Sequence, residues 1–192
     1  MDSRLDKMFF PKSVAVVGAS DIPVKWGNLI LTSILGWRYE GKVFPVNAKK
    51  DTILGLKSYP SLRDIPEDVD LAVFAIPAQF IPEGFRDCAA KGIKAAVVIS
   101  SGFREIGGEG ARLEKEIAEA AHESGLLFIG PNTMGIASAH IAFEALPTPT
   151  GPEPGGLAVI SQSGNIGLQI LKWIAHKNIG LAIYAGTGNE TV

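Results

Sequence analysis

The chain has 192 residues, 46% of them hydrophobic and 20% charged, and a net charge of -2. That is the composition of one or two globular domains, and without a basic field it gives no support to a nucleic-acid partner. No apolar run approaches the roughly 20 residues that span a bilayer. Asp2, Arg4, Asp6 and Lys7 leave no room for an apolar signal segment, and the lone Cys88 excludes an internal disulfide framework, so the expected location is a reducing cytoplasm.

Short apolar runs alternate with helical patterns along the chain. The runs lie at 14–18, 42–46, 71–76, 95–99 and 126–129. Several are continuously apolar, as in strands of a parallel sheet covered on both faces. Helix patterns lie at 27–35, 82–91 and 109–124. In the last, Leu113, Ile117, Ala120 and Ala121 share one face, while Arg112, Glu114, Lys115 and Glu119 are expected to face water. Gly125 follows as a C-cap. Cys88 falls in the second pattern, where a buried, inert role is expected. Residues 59–67 supply only a short helix. Strand, helix and strand in repetition predict an α/β fold, a Rossmann-like doubly wound sheet of five parallel strands ending near Ile136.

Residues 137–155 contain Pro147, Pro149, Pro152 and Pro154 with Gly151 and Gly155, which predicts an extended linker. The pattern then restarts with a strand at 157–160, a turn at 161–164, a helix to about His176 and a strand at 181–184. The expected organisation is a first domain over 1–136, the linker over 137–155, and the start of a second α/β domain over 156–192. Two strands and a helix cannot bury enough surface alone, so the second domain is expected to be truncated here, with exposed apolar surface.

In open parallel sheets, ligands bind beyond the carboxyl ends of the strands. Those ends read Gly18-Ala19-Ser20, Val46-Asn47 with Lys49 and Lys50, Ile76-Pro77-Ala78, Ser100-Ser101-Gly102 and Gly130-Pro131-Asn132. Small residues there let backbone amides approach an anion. A dinucleotide fingerprint needs Gly-x-Gly-x-x-Gly and an acid about 20 residues on. Here Ser20 and Pro23 replace the second and third glycines, and the second run ends in Asn47. A neutral amide and two lysines suit a phosphorylated ligand better than a free ribose diol, although solvated lysines alone also explain Lys49 and Lys50.

Val16-Val17-Gly18-Ala19-Ser20, Val43-Phe44-Pro45-Val46-Asn47, Gly55-Leu56-Lys57-Ser58-Tyr59-Pro60-Ser61-Leu62, Ser101-Gly102-Phe103-Arg104-Glu105 and Gly130-Pro131-Asn132-Thr133-Met134-Gly135 together resemble the NDP-forming acyl-CoA synthetases. That superfamily includes ADP-forming acetyl-CoA synthetase and the succinyl-CoA synthetase alpha subunit. The resemblance implies a coenzyme A (CoA) site in the first domain and a flavodoxin-like second domain. Gly18, Ala19 and Ser20 would lie near the nucleotide phosphates, and Asn47 and Lys49 near the adenosine. Pro77, Ala78, Ser101 and Gly102 would border the pantetheine, with Gly130, Pro131 and Asn132 at the thiol end. Ser161, Ser163 and Gly164 would open a helix whose N-terminus faces the phosphate of a catalytic phosphohistidine.

The resemblance places that histidine later than Val192, so no catalytic residue is expected in this chain. It also implies NDP and Mg only in the full enzyme, and a partner in the remaining chain or in a beta-type ATP-grasp subunit. Thr133 stands where the family often has Cys. His122, His140 and His176 read as solvated or capping residues. No metal cluster is visible. Asn189-Glu190-Thr191 matches a glycosylation sequon. Two other functions remain open: a non-catalytic CoA-binding regulatory module, and an NAD(P)-dependent oxidoreductase domain, which the broken fingerprint disfavours.

Overall fold

The structure, a computed structural model, describes residues 3–36 and 38–191. Met1, Asp2, Trp37 and Val192, and with them the outer bounds of both expected domains, lie outside the described residues. A short helix missed by the sequence reading, α1 (Ser3–Phe9), leads into β1 (Ser13–Val17), α2 (Trp26–Gly36) and β2 (Lys42–Val46). A small hairpin follows, β3 (Thr52–Ile53) and β4 (Leu56–Lys57). Next come β5 (Leu71–Phe74), α3 (Ile81–Lys91), β6 (Ala95–Val98), α4 (Gly108–Ser124) and β7 (Leu127–Ile129). The rest is β8 (Ile136–Ser138), β9 (Phe143–Ala145), β10 (Pro154–Ser161), α5 (Gly164–His176) and β11 (Leu181–Gly186). Residues 62–64 form the short helix expected before β5, as a single 3-10 turn.

The first sheet has the order β2-β1-β5-β6-β7, and every neighbouring pair is parallel, as the sequence predicts. Alternate residues of its strands serve opposite faces. Val14, Val16, Leu71, Val73, Ala95 and Val97 pack against Met8 of α1 and Ile30, Leu31 and Ile34 of α2. Ala15, Ala72, Phe74, Ala96 and Val98 pack against Ile81 and Phe85 of α3 and Leu113 and Ile117 of α4. This two-sided burial is why the strands read as unbroken apolar runs. Phe85 anchors the second face, with its ring 5.7 Å from Phe74 and 5.1 Å from Phe128. Cys88 is buried beside it, and burial pushes its thiol pKa up, which keeps it inert at neutral pH. Gly92 and Gly125 end α3 and α4 in the left-handed region.

The second sheet has the order β10-β11-β8-β9. This corrects the reading of 137–155 as linker, because both β8 and β9 draw on that segment. They are invisible locally because each is three residues long and β8 finds its partner far along the chain, pairing Ile136 with Ala185 and Ser138 with Ile183 of β11. β10 runs parallel to β11, while β8 and β9 are antiparallel. The β8–β9 hairpin also enters the first core: Ile136, Phe143 and Ala145 pack with α1 and α2, and Phe143 sits 5.1 Å from the Tyr39 ring.

Apart from Ala142, only 146–153 of that segment then lacks helix or strand. It is held by Glu144, which is 1% exposed and accepts from Thr150 N and Gly151 N, each at 2.9 Å. On the far side the second unit leaves apolar surface in solvent, with Ile160, Ile166 and Trp173 each more than half exposed. No helix among the described residues is long and apolar enough to cross a membrane.

Two stability outcomes follow. Phe85→Ala should lower the unfolding free energy by about 3–5 kcal/mol in urea denaturation, as truncation of a buried aromatic does. Burial pushes the Glu144 carboxyl above its ordinary value of 4.5, against the opposing bonds from Thr150 and Gly151. The folded state therefore binds this proton more tightly than the unfolded chain. That contribution to stability is full below the ordinary value and is lost as pH rises through the raised one. Denaturation at about pH 4 and about pH 7 should show Glu144→Gln losing part of this decline.

Candidate functional site

The carboxyl edge of the first sheet is where the loops of the first unit converge. Gly18 ends β1 with φ +89°, and a Cβ there would lie 2.5 Å from the Ala75 carbonyl oxygen. Only glycine lets this loop lie flat against the end of β5. The helix α2 begins just behind it, with Gly27 packed against the Gly18 carbonyl. Ala19 and Ser20 are buried. The Ser20 hydroxyl accepts from Ile22 N at 3.1 Å, and the Ser20 carbonyl accepts from Asn28 Nδ2 at 3.0 Å.

Asn47 braces this loop from the neighbouring strand end. Its Nδ2 donates to the Ala19 carbonyl at 2.9 Å, and its Oδ1 accepts from Lys49 N at 2.9 Å. The two lysines after it differ. Lys50 pairs with Asp21 at 2.6 Å, whereas Lys49 is exposed and forms no ion pair among the described residues. Lys49 is thus a cation free to meet an anion at this end of the edge, as is the exposed Lys25 just before α2.

Further along, a pocket of about 330 Å³ opens between the ends of β5, β6 and β7. Pro77, Ser101 and Asn132 line it, as does Trp26 at the start of α2. Ala78 and Gly102 stand beside it, with a Cβ on Gly102 3.3 Å from that of Ala78. Gly130, which precedes a cis peptide bond to Pro131, lies so near β6 that its Cβ would sit 2.6 Å from the Val98 carbonyl oxygen. Trp26, Thr133 and Met134 were not among the expected site residues. Their signal was faint: an aromatic at a helix start, and a position adjoining an identified loop. Thr133 is committed to structure, since its hydroxyl donates to the Gly186 carbonyl and accepts from Gly135 N at 3.0 Å.

The expected residues therefore fall into two groups on one edge. Gly18, Ala19, Ser20, Asn47 and Lys49 gather at the β1–β2 end. Pro77, Ala78, Ser101, Gly102, Gly130, Pro131 and Asn132 gather around the pocket. A larger cavity of about 870 Å³ lies at the opposite edge, lined by Lys12, Arg38, Tyr39 and His140. Its charged side chains are of mixed sign and, among the described residues, no carboxyl end of a first-sheet strand lines it, so size alone does not make it the ligand site.

The second unit brings its own helix N-terminus to the pocket. Ser163 caps α5, and Ser161 Oγ donates to the Ser163 carbonyl at 2.9 Å. Gly164, the first residue of α5, is packed directly on the side chain of Met134, which forms a pocket wall. The free amides of this turn and its positive dipole end favour an anion by about 0.3–1 kcal/mol.

The histidines lie elsewhere. His140 Nε2 is 2.9 Å from the Gly155 carbonyl at the far edge, and His176 ends α5, roughly 18 Å from its first turn. His122 is exposed near the end of α4. No group of three metal-ligating side chains occurs among the described residues.

Comparison with known proteins identifies the family of both units. Residues 12–139 match the CoA binding domain, and residues 154–192 match the succinyl-CoA ligase like flavodoxin domain. The chain is 40% identical to the alpha subunit of ADP-forming acetate–CoA ligase I of Pyrococcus furiosus, over 97% of its own length and 41% of that protein. It is also 40% identical to ADP-forming acetate–CoA ligase I of Archaeoglobus fulgidus, over 98% of its length and 27% of that protein. The chain thus spans well under half of these relatives. Among solved structures, the dinucleotide-forming acetyl-CoA synthetase 1 of Candidatus Korarchaeum cryptofilum in complex with phosphate and ADP superimposes with a TM-score of 0.92 at 38% identity. The superposition covers 97% of this chain and 40% of that one. The chain belongs to the CoA binding domain family.

Proposed function

We propose that this chain forms the CoA site and the phosphate-facing helix of an ADP-forming acyl-CoA synthetase. CoA lies across the carboxyl edge of the first sheet. Its phosphates meet the Gly18–Ser20 loop and Lys49, its pantetheine passes Pro77, Ala78, Ser101 and Gly102, and its thiol ends near Gly130, Pro131 and Asn132. The observation that carries the reading is the contact between Met134 and Gly164. Through it, the wall of the pocket and the N-terminus of α5 adjoin, so a thiol and a phosphate can occupy neighbouring positions.

The full reaction interconverts acyl-CoA, phosphate and ADP with free acid, CoA and ATP, through an acyl phosphate and a phosphohistidine. Ser161, Ser163 and Gly164 face the phosphate in this scheme, where backbone amides stabilise negative charge. The phosphohistidine, the nucleotide with its Mg, and the ATP-grasp part come from outside this chain, because no histidine here stands near the first turn of α5. The chain alone binds CoA and does not turn over. Its cytoplasmic location is part of the same proposal.

Calorimetric titration tests the reading directly. CoA should bind and NAD should not; binding of NAD without CoA would sink the proposal. The two lysines give a finer check. Lys49→Ala should weaken CoA binding by about three- to tenfold at low salt and much less at high salt, as expected for an exposed phosphate contact. Lys50→Ala should change affinity by less than about twofold, since Asp21 already engages that ammonium.

A further inference from the structure

The loop after β11 crosses the first unit at a buried cluster of polar groups. Asn189 at its centre is 7% exposed. Its Nδ2 donates to Glu105 Oε2 at 2.7 Å and to Glu114 Oε2 at 2.9 Å. Its Oδ1 accepts from Asn132 Nδ2 at 3.3 Å, and its backbone N–H donates to the Pro131 carbonyl at 2.9 Å. The side chain is fully engaged, so the sequon it heads presents no free amide to a glycan.

Each partner of Asn189 leads to the pocket. Glu105 uses its other oxygen to accept from Gly102 N at 2.5 Å and Phe103 N at 3.1 Å, which sets the loop that carries Ser101. Asn132 and Pro131 belong to the loop at the thiol end. Glu114, expected at the surface of α4, is instead 4% exposed and accepts from Arg104 N at 2.9 Å. Among the described residues, Asn189 is the side chain that bonds both to Glu105 of the 101–105 loop and to Asn132 of the 130–132 loop. The same segment reaches back to α5: the Gly188 carbonyl accepts from Gln162 Nε2 and Thr187 N donates to the Ser161 carbonyl, both at 2.9 Å.

We propose that Asn189 is a positioning residue for the CoA site: its amide clamps the loops after β6 and β7 at the spacing the thiol end of CoA requires. The second unit is thereby part of the CoA site although Asn189 does not line the pocket. The inference rests on the CoA reading above. Its physical basis is that Glu105 and Glu114 share one donor. Without it, two carboxylates lose a buried partner and repel each other, and the loops they hold move apart.

The test uses the 192-residue chain. Asn189→Ala should weaken CoA binding by about tenfold in calorimetry. Asn189→Asp keeps the shape but sets an acceptor between Glu105 and Glu114, with Arg104 the cation facing the cluster. Its deficit should be larger near neutral pH and should shrink toward about pH 5, where the new carboxyl takes up a proton and donates again. Thr191→Ala, which loses only a bond to Glu114 Oε1, should stay within about twofold of wild type. The amide resonances of Gly102 and Phe103 should move in both Asn189 variants and not in Thr191→Ala. Asn189 variants that bind like wild type, or an equal loss in Thr191→Ala, overturn the clamp and leave the CoA reading intact. A wild-type chain that binds no CoA removes both.

Discussion

The carboxyl edge depends on how closely one loop lies against the end of one strand. Gly18 sits where any side chain would strike the Ala75 carbonyl, so the backbone after β1 stays low and flat. Everything above it inherits that position. α2 starts immediately behind, because Gly27 can touch Gly18, and Asn47 spans from β2 to hold the Ala19 carbonyl. A bulkier residue at 18 would lift the loop, tilt α2 and move Trp26 out of the pocket wall. Gly130 plays the same part at the other end, against the Val98 carbonyl. Two close backbone approaches thus set the level of the loops along the carboxyl edge of the sheet.

Most of the first unit was legible because its signals are local. Strands buried on both faces must be apolar at every position, and 14–17, 71–74 and 95–98 are. The helix of 109–124 showed its buried stripe, and loops rich in small residues marked the edge where the 330 Å³ pocket opens. What escaped was set by contacts between distant segments. The three-residue strands β8 and β9 carry no periodicity of their own, and β8 exists because β11 arrives to pair with it. Trp26 and Met134 join one pocket only after the sheet brings their loops together. Glu114 reads as solvent-facing on a helix wheel, but the segment containing Asn189 covers it. Asn189 itself carried a misleading signal, since a sequon describes a modification chemistry and says nothing of burial.

The two units also divide the electrostatic work. The first carries small residues, backbone amides and the unpaired Lys49 on its carboxyl edge. The second presents one helix N-terminus, with Ser163 as its cap and no acid in its first turn. Met134 separates the two by the width of a single side chain. That arrangement sets the pocket wall directly against the first turn of α5.

The hairpin of β8 and β9 has one further effect. It supplies strands to the second sheet while Phe143 fills the core of the first, so neither unit has a clean border. Any chimera spliced between residues 137 and 145 would remove a wall from one unit and half a sheet from the other. The joint is a welded corner: one hairpin ties the second sheet to the first core, so the α5 end and the carboxyl edge share a common support.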